Sequence, residues 1–364
     1  MLVPFMPTPG ILFLLKLPFI LADVGVALLL YAVGRRSGEG RGTLLAMAWF
    51  LNPVVIWASA VHGEVDSLAA LLSLAFLLAL WKGWPLPAGL FLGLGIFTKI
   101  YPLAFLPFAL AWTLAFSTRP GPSWIERSKG AWLLVAGVAL SVIPFLLYLP
   151  GFAVILAHQA GNTNFGGLSL LIVFNPVLSP IAHLFPVGLP HTVALAYEAS
   201  LGVAVIGSVA LVLLARRGPA PSPESQLVLL STMSAWVLSA GLLAILSPQA
   251  ENVVGLIPFL LLMLPAIRRL GPTLIATLSG AAWAQYLALL SPVAFFYPLA
   301  EIMGPGTVDG VNGVVISYSS GHGGVTQGML WFPLGVISGI AILSVFGVCA
   351  LRLVREYRRF RRTS

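Results

Sequence analysis

The sequence predicts an all-α protein, a polytopic transmembrane helix bundle of about eleven spans, and three observations predict it. Only 8% of the 364 residues are charged, against roughly 25% in soluble domains. Apolar residues make up 59% of the chain and the mean hydropathy is +1.00. Apolar runs of about 20 residues, the length that crosses ~30 Å of hydrocarbon, recur from Ile11 to the C-terminus, and basic residues punctuate them at alternate boundaries.

Cutting the chain at charges, Pro/Gly clusters and polar runs gives spans at 11–33, 43–61, 65–81, 86–99, 102–117, 131–149, 192–215, 226–246, 253–267, 272–290 and 329–351. Asn52-Pro53 interrupts the second, because proline lacks the amide donor a helix interior needs. Gly89, Gly93 and Gly95 give the fourth a face of small residues that permits close helix packing. The whole chain, 1–364, reads as a single integral membrane domain. Longer connections lie at 150–191 and 291–328, and a basic tail at 352–364.

Seventeen of the 19 basic residues fall on one side of this arrangement: Arg35, Arg36 and Arg41, Lys82, Arg119, Arg127 and Lys129, Arg216 and Arg217, Arg268 and Arg269, and six arginines from Arg352 to Arg362. The positive-inside rule makes that side cytoplasmic, with the C-terminus inside and the N-terminus outside. A multi-pass protein of the plasma membrane is expected, in contact with membrane lipids and not with nucleic acid. One cysteine, Cys349, excludes an intrachain disulfide and a thiolate cluster. Chemistry belongs on the opposite, outer face.

Polar residues are scarce enough to be informative. Lys16 and Asp23 stand seven residues apart, two helical turns, and so share a face. A charge at that depth needs a partner or a polar cavity, so this face points into the bundle, as an ion pair, a snorkelling lysine or a wall of a substrate cavity. His62, Glu64 and Asp66 crowd the outer turn before the third span. Asp66 suits the start of a helix, where the dipole favours a carboxylate, but capping leaves His62 and Glu64 unexplained. A metal site there lacks further ligands, so no metal and no cofactor is expected. Lys99, followed by Tyr101 and Pro102, is a lone cation at an outer span end, suited to a phosphate at headgroup depth. Gln249, Glu251 and Asn252 sit at another outer mouth, and His158, Gln159, Asn162 and Asn164 in an outer loop, residue types that suit hydroxyl-rich ligands. The glycine-rich segment 303–328, with Asp309 and His322, carries no nucleotide-binding fingerprint.

In order, KLPFILADVGVALLLY, LNPVVIWASAVHGEVDSLAALL, GLFLGLGIFTKIYPLAFLP and SPQAENVVGLIPFLLL resemble the GT-C membrane glycosyltransferases, in the polyprenyl-phosphate-sugar-dependent, mannosyltransferase-like branch. The resemblance implies transfer of a mannose-like sugar from a polyprenyl phosphate to a lipid or glycan hydroxyl on the outer face. It sets Lys99 where it meets the donor phosphate and His62 to Asp66 at the border of the donor cavity. Those enzymes carry a catalytic acid in a first outer loop that has no counterpart here, so a first span and loop are expected upstream, and Asp66 and Glu64 are the candidate catalytic residues. His62, Tyr101, Lys16, Asp23, Gln249 and Glu251 are the candidate cavity. A non-catalytic subunit of the same build, and a lipid-linked-sugar flippase or transporter, are the alternatives; a transporter of the inverted-repeat type would carry a second broken span to match Asn52-Pro53.

Overall fold

A computed structural model describes residues 9–38, 40–116, 124–148, 168–176, 179–216, 222–245, 248–267, 270–289 and 332–358. Most of these residues are helical, and no strand occurs among them. The α-helices are α1 (Pro9–Gly34), α2 (Arg41–Phe50), α3 (Pro53–Ile56), α4 (Asp66–Trp81), α5 (Pro85–Thr98), α6 (Leu106–Phe116) and α7 (Trp124–Val142). Then follow α8 (Leu189–Ala215), α9 (Pro223–Ala244), α10 (Ile257–Met263), α11 (Gly271–Leu289) and α12 (Phe332–Arg358). The outer-loop residues His158, Gln159, Asn162 and Asn164, and the segment with Asp309 and His322, lie outside the described residues.

Every expected span contains a helix, but among the described residues fewer are long and apolar enough to cross a membrane alone. Five helices, α1, α7, α8, α9 and α12, are long and apolar enough for a membrane, and α2 with α3 makes a sixth if the pair, bent by 48°, counts as one. The stretches Asp66–Trp81, Pro85–Thr98, Tyr101–Phe116 and Ala250–Met263 are shorter apolar helices. Backbone punctuation explains the difference. Gly63 and Gly83 adopt φ of +76° and +70°, left-handed conformations that glycine tolerates and other residues avoid, and each ends a helix. At about 1.5 Å per residue, the 16-residue α4 is about 24 Å long, short of the ~30 Å core.

The break at Asn52 is built, not merely permitted. Its side-chain oxygen accepts the Val54 amide at 3.1 Å, capping α3, while its amide donates to Ser279 Oγ on α11 at 2.8 Å. After α3 the chain widens into a π-helical turn, Trp57–His62. At the other boundaries, α7 begins seven residues ahead of the expected span and α12 runs seven beyond it, so Arg352, Arg355 and Arg358 continue the last helix. In this stretch Arg352 meets Glu356 at 3.7 Å.

The core forms around α9 and α10. Of α9's apolar window 78% is buried, against 22% for α1 and for α7, which marks it as the inner helix. All seven residues of α10 are buried. α5 lies against α7 through glycines, as the small-residue face predicts: a Cβ on Gly89 would strike the Leu134 carbonyl, and one on Gly93 the Ser141 side chain. Gly137 of α7 is held as closely by Leu86. Gly95 faces the other way, towards Leu72 and Pro102.

The candidate site at the open end of a helical hairpin

α4 and α5 form an antiparallel hairpin that turns at Lys82–Trp84 around Gly83. Asp66 and Lys99 stand 17 and 16 residues from Gly83, so two straight helices of nearly equal length bring them level at the hairpin's open end. Both charges suit their places: the acid lies in the first turn of α4 and the base at the C-cap of α5, each complementing the nearby helix dipole. The structure pairs them, Lys99 Nζ to Asp66 Oδ1 at 2.9 Å. Asp66 is 0% exposed and Lys99 23%. Asp66 makes no capping hydrogen bond to the backbone, so Lys99 is the partner of its carboxylate among the described residues.

A third, distant segment completes this centre. Lys99 Nζ also donates to Asn252 Oδ1 at 3.2 Å. Asn252 and Glu251 lie on the short 3-10 helix Ala250–Val253, anchored by the buried residues that follow it. Glu251 is only 6% exposed, and its charge, like that of Glu64, acts on Asp66. Gln249 precedes this turn in extended conformation, exposed and without a side-chain cap. Tyr101 opens the 3-10 helix Tyr101–Phe105 just past Lys99, with its hydroxyl against Gly255 and beside Ser73 and Asp66.

The His62 turn forms the more open wall. His62 Nδ1 and Glu64 Oε1 are 3.1 Å apart, with side chains 24% and 32% exposed. This hydrogen bond holds the Glu64 carboxyl below the usual glutamate range; partial burial opposes the shift and the Lys99 charge assists it. Lys16 reaches the same turn: its Nζ donates to the Val61 carbonyl at 2.5 Å and its stem crosses Gly63, where a Cβ would lie 3.0 Å from Lys16 Cγ. The lysine therefore caps the end of the π-helical turn and does not pair with Asp23. Asp23, 5% exposed, faces the hydroxyls of Ser59 and Ser67, and its Oδ1 has no hydrogen-bond partner among the described residues. Among the described residues no three His, Cys, Asp or Glu side chains gather as a metal site.

Among the described residues, Lys16, Asp23, His62, Glu64, Asp66, Lys99, Tyr101, Glu251 and Asn252 thus gather at one end of the bundle, from α1, the turns at 57–66 and 249–252, and the hairpin end. Ser59, Ser67 and Ser73, which the sequence did not single out, join them. Serines carry no distinguishing signal in a helix, but the pairing of 66 with 99 was readable from nearly equal distances to Gly83. The opposite end is basic: Lys82 Nζ lies 4.4 Å and Arg36 5.6 Å from the Trp81 ring centre, and the Trp81 indole donates to the Pro223 carbonyl at 2.8 Å.

Residues 2–180 match the family model of the GPI transamidase subunit PIG-U. GPI mannosyltransferase 1 of Candida albicans is 27% identical over 142 residues, 37% of this chain and 36% of that protein. The same-named protein of Eremothecium gossypii is 35% identical over 124 residues, 34% of this chain and 29% of its own length. That of Debaryomyces hansenii is 24% identical over 119 residues, 32% and 29% of the two chains. The chain thus spans about a third of the length of the curated relatives it matches. No solved structure matches it significantly. These likenesses and the helix bundle describe a multi-pass membrane protein similar to the GT-C-like glycosyltransferase superfamily, with no single member picked out.

Proposed function

We propose that the protein is a GT-C-type hexosyltransferase that moves a mannose-like sugar from a polyprenyl phosphate to a hydroxyl of a lipid or glycan acceptor, at the end of the bundle where Lys99 lies. The observation that carries this reading is the convergence of Lys99, Asp66, Glu64, Glu251 and Asn252 from separate segments in a chain only 8% charged. An ammonium has three N–H donors. Asp66 and Asn252 take two in the resting site, so an arriving phosphate oxygen meets the third and then competes with Asp66 for the charge. Asp66 and Glu64 carry the acid–base work of the transfer. His62, Tyr101, Gln249, Glu251, Lys16 and Asp23 border the cavity for sugar and acceptor. The names of the mannosyltransferase relatives support the sugar class.

In this reading the working face is extracytoplasmic and the basic end, with the C-terminal tail, is cytoplasmic, in the plasma membrane. Segregation of Arg36 and Lys82 to the end opposite Lys99 supports that orientation. Thiol labelling of a Ser364→Cys variant in intact cells tests it: protection from an impermeant reagent is expected, and labelling from outside overturns it.

The match to a transamidase subunit family favours one alternative, a non-catalytic subunit that holds a glycolipid at the same end. Purified protein incubated with polyprenyl-phosphate-linked mannose and membrane lipid extracts separates the two. Transfer of label to lipid supports the enzyme. Saturable donor binding without transfer supports the subunit, and neither binding nor transfer contradicts both.

A further inference from the structure

Glu64 and Asp66 sit two residues apart in opposite surroundings. Asp66 is fully enclosed, with Lys99 as its counter-charge and Glu64, Glu251 and Tyr101 as the other titratable groups acting on or beside it. Glu64 is about a third exposed and hydrogen-bonded to His62, with Lys99 acting on it from farther off. When a bound anion takes the counter-charge from one of two neighbouring carboxyl groups and leaves the other its partner, the pair divides into acid and base.

We infer that the two carboxyl groups divide the labour: a phosphodiester anion bound at Lys99 displaces Asp66 from the lysine, Asp66 takes up a proton, and Glu64 remains the ionised base for the acceptor hydroxyl. This rests on the transferase reading above and deepens it, because it makes an anionic headgroup on the donor a requirement for setting the site.

The physical argument starts from competition. Lys99 reaches Asp66 on a flexible four-carbon stem and is the more exposed partner, whereas Asp66 is fixed in the first turn of α4. An arriving phosphodiester is a second anion competing for one ammonium. A fully buried carboxylate that loses its counter-charge beside two other acids cannot stay ionised cheaply, so it binds a proton. Protonated Asp66 then donates a hydrogen bond to the phosphate oxygen, in place of an anion that would repel it. Glu64 has no such conflict: its partner is His62, and its exposure leaves an oxygen accessible to an acceptor hydroxyl.

The step balances. The acceptor oxygen forms a bond to the anomeric carbon as the bond from that carbon to the phosphate oxygen breaks, with the electron pair leaving on the phosphate. The acceptor's proton goes to Glu64, and the Asp66 proton passes to the departing phosphate. Glu64 afterwards releases its proton to solvent, and Asp66 returns as a carboxylate to Lys99.

The test is calorimetric binding of a short-chain polyprenyl-phosphate-linked mannose to the purified full chain, in buffers of different ionisation heat at one near-neutral pH. The phosphodiester itself does not titrate there, so a buffer-dependent heat reports protein protons. Expected are net proton uptake on binding to the wild type, loss of that uptake in Asp66→Asn, and uptake retained in Glu64→Gln with transfer reduced ~100-fold or more. Donor binding without uptake in the wild type overturns the inference and leaves the transferase reading standing. Uptake that vanishes in Glu64→Gln instead reverses the assignment and overturns it as well. Absence of any donor binding defeats the transferase reading and this inference together. Melting curves accompany each variant; if Asp66→Asn does not fold, the wild-type and Glu64→Gln arms still decide.

Discussion

The two ends of the α4–α5 hairpin hold charge in opposite ways. At the turn end, Lys82 and Arg36 lie exposed over the Trp81 ring, solvated and without an acidic partner among the described contacts. At the open end, Lys99 and Asp66 pair at 2.9 Å with the acid fully enclosed. A cation over an exposed ring contributes about 0.5–1 kcal/mol, and many residues can replace it. A buried ion pair is indifferent to stability as a pair but costly to break, because the survivor is left as an unpaired charge or an unpaired buried acid. Stability alone therefore does not account for such an enclosed pair, which is why the proposed function is placed at that end.

Three comparisons, the first between two substitutions, break or sharpen this contrast in decreasing order of effect. Lys99→Met should destabilise the protein by about 3 kcal/mol or more, since it strands Asp66, while Lys82→Met should cost under about 1 kcal/mol. Thermal melts in detergent compare the two, and equal losses would erase the distinction between the ends. Gly89→Val pushes the hairpin off α7 along its length, because a Cβ there meets the Leu134 carbonyl. An overpacking cost of about 1–3 kcal/mol is expected, and wild-type stability would mean that the helices are not in contact at this point. Trp81→Phe removes the indole donor to Pro223 and weakens the ring under two cations. A loss of about 1 kcal/mol is expected, with donor binding at the far end unchanged; a change in donor affinity would show that the ends are coupled.

The smallest effect concerns pH. His62 holds the Glu64 carboxyl below its usual range, so the unfolded chain binds the proton first as the solution is acidified. The resulting stabilisation is complete above the unfolded glutamate value of about 4.3 and is lost as pH falls through the lower folded value. Glu64→Gln should flatten that acid limb of the melting curve and leave neutral-pH stability less altered. An unchanged acid limb would mean that the His62 contact does not persist in solution.

The sequence and the structure agree unevenly, for physical reasons. Helices were readable because long apolar runs leave the backbone no alternative in lipid, and Asn52-Pro53 was readable as a break because proline removes a hydrogen bond. The π-helical turn after it was not, since Trp57–His62 differs from an α-helix only in which carbonyl accepts each amide. Among the described residues, not every apolar segment forms a helix long enough to cross by itself, because Gly63 and Gly83 end helices that composition alone would extend. Lys99 and Asp66 were each visible as unusual charges, and counting residues to Gly83 would have joined them. Asn252 could not be joined to Lys99 in the same way: 153 residues separate them, and nothing in a hydropathy pattern states which helices become neighbours. Lys16 and Asp23 share a face as expected, yet each found a nearer partner, a backbone carbonyl for one and serine hydroxyls for the other.

The central claim is that Lys99 is kept for an anionic ligand and not for the fold. The double substitution Lys99→Met with Asp66→Asn tests it most directly, because it removes both charges and spares the enclosed acid its orphaned state. Melting and binding of polyprenyl-phosphate-linked mannose are measured on the same preparation. The account predicts that the double variant recovers most of the stability lost in Lys99→Met while donor affinity stays at least ~10-fold below wild type, the loss of one charge-assisted contact of about 1.5 kcal/mol or more. Wild-type affinity in a stable double variant would contradict it.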